Sequence, residues 1–82
     1  MRLSFLKSAQ RSLKSYDTKT QIRIAHAIAK LPEGDIKKMQ GRTSRSFYRL
    51  RVGKYRVIFE LTAEEIVIAK IDSRGDVYKG QW

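Results

Sequence analysis

The spacing of apolar residues near the start of the chain predicts a short strand followed by a helix. Apolar and polar residues alternate over residues 1–5, as they do in a half-buried strand. Ser8 is a suitable N-cap for a helix that extends to about Tyr16. Spacings of four and three then place three residues on one side of this helix, and these are Ala9, Leu13 and Tyr16.

A second helix is predicted from about Lys19 to Leu31. Asp17 and Thr18 can end the first helix and cap the second, and Pro32 ends the second because proline cannot continue the hydrogen-bond ladder. Its predicted apolar stripe consists of Ile22, Ala25, Ile28 and Ala29, widened by Ile24, Ala27 and Leu31. The two helices would form an αα-hairpin with one apolar side.

The second half of the chain predicts three strands. They cover about Phe47–Val52, Tyr55–Leu61 and Ile66–Asp72, and the first two are joined by Gly53-Lys54, which fits a two-residue type II′ turn. Residues 36–46 have no clear period and predict an irregular basic connection. We therefore expect one α+β domain over residues 1–82, in the order β-α-α-β-β-β. Its mostly antiparallel sheet, with about four strands, would pack on the helical hairpin.

The hairpin predicted around Gly53-Lys54 has two chemically different faces. Alternation puts six residues on the face that packs on the helices, namely Tyr48, Leu50, Val52, Tyr55, Val57 and Phe59. Arg49, Arg51 and Arg56 then share the opposite face. Moving the two-residue turn by one position changes the partners across the strands but not the faces. The arginine cluster is therefore independent of the register.

Positive charge is concentrated in the same part of the chain. There are 18 Lys and Arg against eight Asp and Glu, a net charge of +10. Between Ile36 and Phe59 no residue is acidic, and the basic ones are Lys37, Lys38, Arg42, Arg45, Arg49, Arg51, Lys54 and Arg56. Like charges opposite one another destabilise a sheet, so the cluster indicates a bound anion. A nucleic acid, an acidic protein segment and an anionic membrane surface all fit this charge.

Several kinds of chemistry lack the residues that they need. Without cysteine there is no disulfide or thiolate metal site, and no apolar run approaches the ~18 residues that span a membrane. His26 has no His, Asp or Glu three or four positions later, so we expect neither a metal site nor a cofactor. We expect a cytoplasmic protein without a membrane partner. Arginine and tyrosine remain, and together they can bind RNA and also cleave it without metal, by attack of a 2′-hydroxyl on the neighbouring phosphorus.

Three segments of the chain closely resemble the RelE branch of the RelE/ParE toxin superfamily of type II toxin–antitoxin modules. They are Gly34–Gly41, Tyr48–Phe59 with its Arg-Leu-Arg-Val-Gly-Lys-Tyr-Arg run, and Ile71–Tyr78. The strand and helix pair before them fit the same layout, so the resemblance covers nearly the whole chain. It implies a small sheet on a helical hairpin, and an mRNA endonuclease that acts in the ribosomal A site and is held inactive by an antitoxin.

The resemblance also implies roles for individual residues. Arg56 matches the arginine that stabilises the transition state. Arg49 and Arg51 match the basic pair that holds the scissile and flanking phosphates, and Arg51 is counted with the catalytic set. Tyr78 matches a tyrosine that stacks on or aligns the nucleotide and can take part in proton transfer. Arg74 matches a basic position of the tail that acts on the phosphate or the leaving oxygen. Many members have histidine where this chain has Ser73. Serine cannot shuttle protons near neutral pH, so the general acid and base stay open.

The remaining cations are expected to bind RNA backbone loosely, which makes affinity fall with salt. They are Lys37, Lys38, Arg42, Arg45 and Lys54. Two other functions remain open, a ParE-like inhibitor of DNA gyrase and a noncatalytic RNA-binding module. A cognate antitoxin would wrap the toxin with a segment that folds on binding. Either its acidic side chains would reach towards the arginines, or one of its helices would dock against the sheet or the C-terminal tail.

Overall fold

The computed structural model describes residues 2–39 and 47–73, and these form two helices and a five-stranded sheet. The helices are α1 (Lys7–Ser15) and α2 (Thr18–Ala29). The strands are β1 (Arg2–Phe5), β2 (Ile36–Lys38), β3 (Phe47–Val52), β4 (Tyr55–Leu61) and β5 (Glu65–Ser73). The predicted α+β fold with strands after a helical hairpin is confirmed. The expected number of strands was one too low.

The strands lie in the order β1-β5-β4-β3-β2. β1 runs parallel to β5, and the other neighbours are antiparallel, as expected for a mostly antiparallel sheet. Val52 pairs with Tyr55 around the predicted two-residue turn. Gly53 has φ +61° and Lys54 does not have a positive φ, which is the pattern of a type II′ turn.

β2 lies in the segment that the sequence predicted to be irregular. Ile36 pairs with Leu50, Lys37 with Arg49 and Lys38 with Tyr48. The strand has three residues, two of them lysines, so it has neither the length nor the alternation by which strands are recognised. Its conformation depends on pairing with β3, a partner that lies about ten residues further along the chain.

The core lies between the helices and one face of the sheet. α1 packs against β5 and α2 against β3. Among the buried core residues are Ala9, Ile24, Ile28, Leu50, Val52, Val57, Phe59, Ile66, Ile68 and Ile71. Tyr48 and Tyr55 pack against this cluster, so the predicted apolar face of the β3–β4 hairpin is confirmed. Neither helix in the described part of the chain is long and apolar enough to cross a membrane.

Two local predictions about the helices were wrong. Ile22 is 52% exposed, and Ala25 and Ala29 are exposed too, so the buried stripe of α2 runs through Ile24 and Ile28 instead. Ser8 is not an N-cap, because α1 begins at Lys7 after Leu6. The Ser8 hydroxyl donates instead to the carbonyl oxygen of Ala69, at 2.9 Å, and so ties α1 to β5.

Candidate functional site

The face of the sheet that points away from the helices carries three arginines in adjacent strands. Arg51 pairs directly with Arg56 across β3 and β4, and Arg49 pairs with Ile58. Since side chains of directly paired residues point to the same side of a sheet, all three arginines share one face, as predicted. We call Arg49, Arg51 and Arg56 the arginine face.

The three arginines differ in their access to water. Arg56 is 8% exposed and Arg49 is half-buried, whereas Arg51 is exposed. Ile58, which lies beside Arg56 on the same face, is completely buried. Nε and Nη1 of Arg56 and Nε of Arg49 are also shielded from solvent. A charge withdrawn from water acts on an opposite charge through a lower dielectric constant, so these two guanidinium groups interact with an anion more strongly than surface cations do.

Two lysines join the arginine face from the neighbouring strands. Lys37 in β2 pairs with Arg49, and Lys70 in β5 pairs with Ile58. Lys38 lies next to Lys37 but pairs with Tyr48, on the side of the sheet that carries the helices. From the sequence, Lys37 and Lys38 were expected to have the same role, but they lie on opposite faces of the sheet. Lys70 was not among the predicted site residues.

A bulge in β5 explains why Lys70 was missed. Ile58 pairs with Lys70 but Phe59 pairs with Ile68, so Ala69 is an extra residue in β5. Strict alternation would put Lys70 on the same side as the buried Ile68, whereas the bulge turns it to the arginine face. The sequence contains a signal for this, because isoleucine at positions 66 and 68 is followed by lysine at 70 and by the next isoleucine only at 71.

Acidic groups are fewer on this face. Asp72 pairs with Arg56, and its Oδ1 accepts a hydrogen bond from the backbone N–H of Ser73, at 2.8 Å. Glu60 lies on the same face between Phe47 and Val67, as the alternation of β4 predicts. Glu65 at the start of β5 is on this side too, where its Oε2 accepts a hydrogen bond from the Ser4 hydroxyl, at 3.0 Å. Within the described part of this face, the four strands β2–β5 therefore bring five cations together with three carboxylates, a net positive surface.

Two tyrosines and a lysine meet at the hairpin end of the sheet. The rings of Tyr16 and Tyr55 are tilted against each other with centroids 4.8 Å apart, and Nζ of Lys54 lies 5.6 Å from the centroid of Tyr55. Burial, and then the negative charge of Asp72 and the neighbouring Tyr55, raise the pKa of Tyr16. Tyr16 is therefore a neutral phenol at neutral pH and keeps its proton for a hydrogen bond.

Four of the predicted site residues lie outside the described ranges, and they are Arg42, Arg45, Arg74 and Tyr78. Their roles stay predictions that come from the resemblance and from the charge pattern. Within residues 2–39 and 47–73, His, Asp and Glu side chains do not form a group of three that could hold a metal ion. The chemistry that can be derived from the described residues is therefore that of guanidinium, ammonium and phenol groups.

Comparison with protein families places the chain with toxins of type II toxin–antitoxin systems. A family model described as the ParE toxin of the type II toxin–antitoxin system parDE matches residues 3–78. Among curated proteins, none matches the chain significantly.

Several solved structures have the same fold. A chain in the archaeal RelE–RelB complex from Pyrococcus horikoshii is 25% identical, with a TM-score of 0.72, and the match covers 92% of this chain and 96% of that one. For the RelB–RelE antitoxin–toxin complex from Methanococcus jannaschii the identity is 27%, the TM-score 0.72 and the coverage 90% and 93%. The RelBE2 toxin–antitoxin complex from Mycobacterium tuberculosis, at 19% identity and a TM-score of 0.74, covers 89% and 96% and shows the fold alone.

Proposed function

This chain belongs to the ParE toxin family of type II toxin–antitoxin systems and has the RelE/ParE fold, and we propose that it arrests translation by cleaving mRNA in the ribosomal A site. The observation that carries the proposal is the pairing of Arg51 with Arg56 across β3 and β4, beside Arg49. Like charges directly opposite each other destabilise a sheet, and a phosphate placed between them removes that cost.

The proposed reaction is an in-line transesterification. The 2′-oxygen of the substrate forms a bond to phosphorus while the bond from phosphorus to the 5′-oxygen breaks. The 2′-hydroxyl loses its proton, the 5′-oxygen gains one, and the products carry a 2′,3′-cyclic phosphate and a 5′-hydroxyl. Negative charge grows on the phosphoryl oxygens in the transition state, where guanidinium groups in fixed positions stabilise it.

The burial of Arg56 suits it to the central role in this reaction. Its backbone is held on both sides, by β3 and β5, and its side chain is 8% exposed, so it is already positioned before the substrate arrives. We assign transition-state stabilisation to Arg56, and binding of the scissile and flanking phosphates to Arg51 and Arg49. Removing one preorganised donor of this kind costs about 3–4 kcal/mol, which is 10²–10³ in rate.

The proton transfers are assigned by resemblance. Tyr78 would align the nucleotide and take part in proton transfer, and Arg74 would act on the phosphate or the leaving oxygen. Ser73, which stands where many relatives have histidine, ends β5 opposite Tyr55. Its hydroxyl cannot shuttle protons near neutral pH, so this place in the sheet does not supply the general acid or base.

We extend the antitoxin partner to this chain from the solved structures, which include RelE–RelB complexes. An acidic antitoxin segment that lies over Arg49, Arg51 and Arg56 would replace the substrate phosphate and block entry into the ribosome. Its affinity for the toxin would fall with salt, because the attraction depends on charge.

The proposal is tested by inducing the chain without its antitoxin and comparing Arg56→Ala with Arg11→Ala, which changes an exposed arginine of α1. We expect the unchanged chain and Arg11→Ala to arrest growth and to cut translated mRNA at mapped codons. Arg56→Ala should lower cleavage by about 10²–10³ and abolish the arrest. Circular dichroism and the denaturant midpoint of unfolding verify that this variant folds. Full arrest by a folded Arg56→Ala chain would contradict catalysis on the arginine face.

A second function, inhibition of DNA gyrase, is favoured by the ParE description of the matching family model. It would use the same fold as a binding protein for another target. A DNA-damage response on induction, without cleaved mRNA, would support it over the endonuclease. Tolerance of the induced chain without an antitoxin would instead support a noncatalytic RNA-binding module.

A further inference from the structure

A cleft of about 300 Å³ lies between α2 and the end of β3, outside the arginine face. Its apolar floor consists of Ala27 in α2 and of Leu50 and Val52 in β3. The cleft exists because β2 begins only at Ile36, which pairs with Leu50. Beside the last part of β3 lies the turn that precedes β2. There, the backbone N–H of Arg51 donates to the carbonyl oxygen of Asp35, at 3.0 Å.

The rim of the cleft offers both donors and acceptors of hydrogen bonds. Arg23 and Lys30 supply positively charged donors and the carboxylates of Glu33 and Asp35 supply acceptors, and His26 and Arg51 also line the cleft. The lining thus carries a small excess of positive charge around an apolar centre. An apolar centre with donors and acceptors at its rim matches the apolar face and polar edge of a flat organic ligand better than it matches a bare anion.

The helical side of the rim belongs to a basic stripe on α2. Lys19, Arg23, His26 and Lys30 follow one another at spacings of four, three and four, so they lie on one side of the helix, and all four are exposed. A stripe of this kind is often only a solvated surface. Here Arg23 also reaches the β3–β4 turn, where a Cβ on Gly53 would lie 2.9 Å from its Nη2, and it lines the cleft as well.

We propose that this cleft binds one unpaired nucleobase of an RNA strand whose phosphates lie on the arginine face. The inference rests on the proposed function for its RNA substrate and adds the place where a base is recognised. Arg51 lines the cleft at the end of β3, where β2 no longer covers the edge of the sheet, and it also pairs with Arg56 on the opposite face. A strand held by the arginines would therefore reach the cleft by turning around this edge. A base has an apolar face for Leu50 and Val52, and an edge of donors and acceptors for the rim.

The volume and the guanidinium group of Arg23 fit this ligand. Pockets for small ligands begin at about 300 Å³, which is the volume of the cleft. Guanidinium planes stack on unpaired bases, and contacts to the base edge distinguish one base from another. The cleft would therefore contribute to the sequence preference of binding, while Arg49, Arg51 and Arg56 contact the backbone, which is the same for every sequence.

The test is a titration of the full-length chain with the four nucleoside 5′-monophosphates and with ribose 5-phosphate, followed by NMR shifts of Ala27, Leu50 and Val52. We expect saturable shifts with at least one nucleotide, and at least tenfold weaker binding of ribose 5-phosphate. Arg23→Gln and Lys30→Gln should each weaken nucleotide binding by about tenfold, which is the loss of one charge-assisted hydrogen bond. Arg11→Gln and Lys14→Gln, exposed positions on α1, should leave it unchanged.

Three results would overturn the proposal. Equal affinity for ribose 5-phosphate would show an anion site without a base pocket. If the shifts do not saturate, or if Arg23→Gln and Lys30→Gln bind nucleotide as tightly as the unchanged chain, the α2 stripe is only a solvated surface. An acidic peptide that perturbs the cleft at lower concentration than any nucleotide would make it a protein-docking groove.

The outcome is separable from that of the proposed cleavage. If Arg56→Ala still arrests growth while nucleotides saturate the cleft, the cleavage proposal fails and the base pocket stands. If Arg56→Ala abolishes arrest and mRNA cleavage while nucleotides leave the cleft unperturbed, the base pocket fails and the endonuclease stands.

Discussion

The alternation of residues in β4 predicts on which face of the sheet Arg56 lies, but it does not predict that the side chain is buried. Its side follows from the parity of a hairpin around Gly53-Lys54. Its low exposure results from neighbours on three strands, among them Ile58 on its own strand and Asp72 opposite it. A buried guanidinium acts more strongly on a phosphate than an exposed one such as Arg51, which is why we place the transition-state role at Arg56.

Gly53→Ala should destabilise the fold by about 1–2 kcal/mol, because an L-residue at φ +61° pays a steric cost that glycine does not. Denaturant unfolding measures the change. The added Cβ would also lie 2.9 Å from Nη2 of Arg23, the far end of a flexible side chain. The same substitution in an Arg23→Ala background separates the two effects. A loss that disappears in that background would contradict the backbone explanation.

Strands β3 and β4 were predicted to the residue, whereas β2 and the bulge in β5 were not. The hairpin has a two-residue turn with glycine at the position of positive φ, and clear alternation on both sides, all of which are local signals. β2 is a strand only because β3 is available for pairing. The bulge at Ala69 is defined only by the pairing of β5 with β4. The carbonyl oxygen of Ala69 accepts a hydrogen bond from Ser8 in α1, which is also distant in the chain.

Helix α2 shows the limit of periodicity in a segment that is mostly apolar. Two overlapping stripes, one through Ile22 and one through Ile24, both have helical spacing. The structure buries the second, which leaves Ile24 completely buried and Ile22 52% exposed. Which stripe is buried depends on how α2 is rotated about its axis where it packs against β3. The sequence of the helix alone does not specify this rotation.

Ile24→Ala and Ile22→Ala form a matched pair for this packing. Ile24→Ala should lower the free energy of unfolding by about 2–5 kcal/mol, since it removes methyl groups from a packed core. Ile22→Ala should stay within about 1 kcal/mol, because much of its side chain is already in water. Chemical denaturation of both variants measures the difference. Similar losses in the two variants would mean that α2 buries a different side.

Over the whole molecule, the net charge of +10 is divided between separate surfaces. One is the arginine face with Lys37 and Lys70, and another is the basic stripe of α2 around the cleft. Arg51 belongs to the first surface and also lines the cleft. In the proposed binding mode, a strand of RNA would meet phosphate-binding groups on one face of the sheet and, around the edge at Arg51, the cleft on the other.

Lys37→Gln and Lys38→Gln test whether RNA follows the arginine face. Lys37 pairs with Arg49 on that face, while its neighbour Lys38 is directed to the side of the helices. Lys37→Gln should weaken binding of single-stranded RNA and reduce the slope of log K against log salt by about 0.7, which corresponds to one phosphate contact. Lys38→Gln should leave the slope unchanged. Binding measured over a series of salt concentrations decides this, and equal changes for both lysines would contradict a defined path.

Local patterns in the sequence were sufficient for the order of elements, the β3–β4 hairpin and the face that carries its arginines. Each depends on residues close together in the chain, where turn chemistry and period-two alternation act directly. β2, the rotation of α2, the arrival of Lys70 at the arginine face and the cleft lined by Arg23 and Arg51 were settled by contacts between distant segments. Such contacts form only when the whole sheet assembles, and they decide where a one-residue bulge shifts the register and how a helix is rotated.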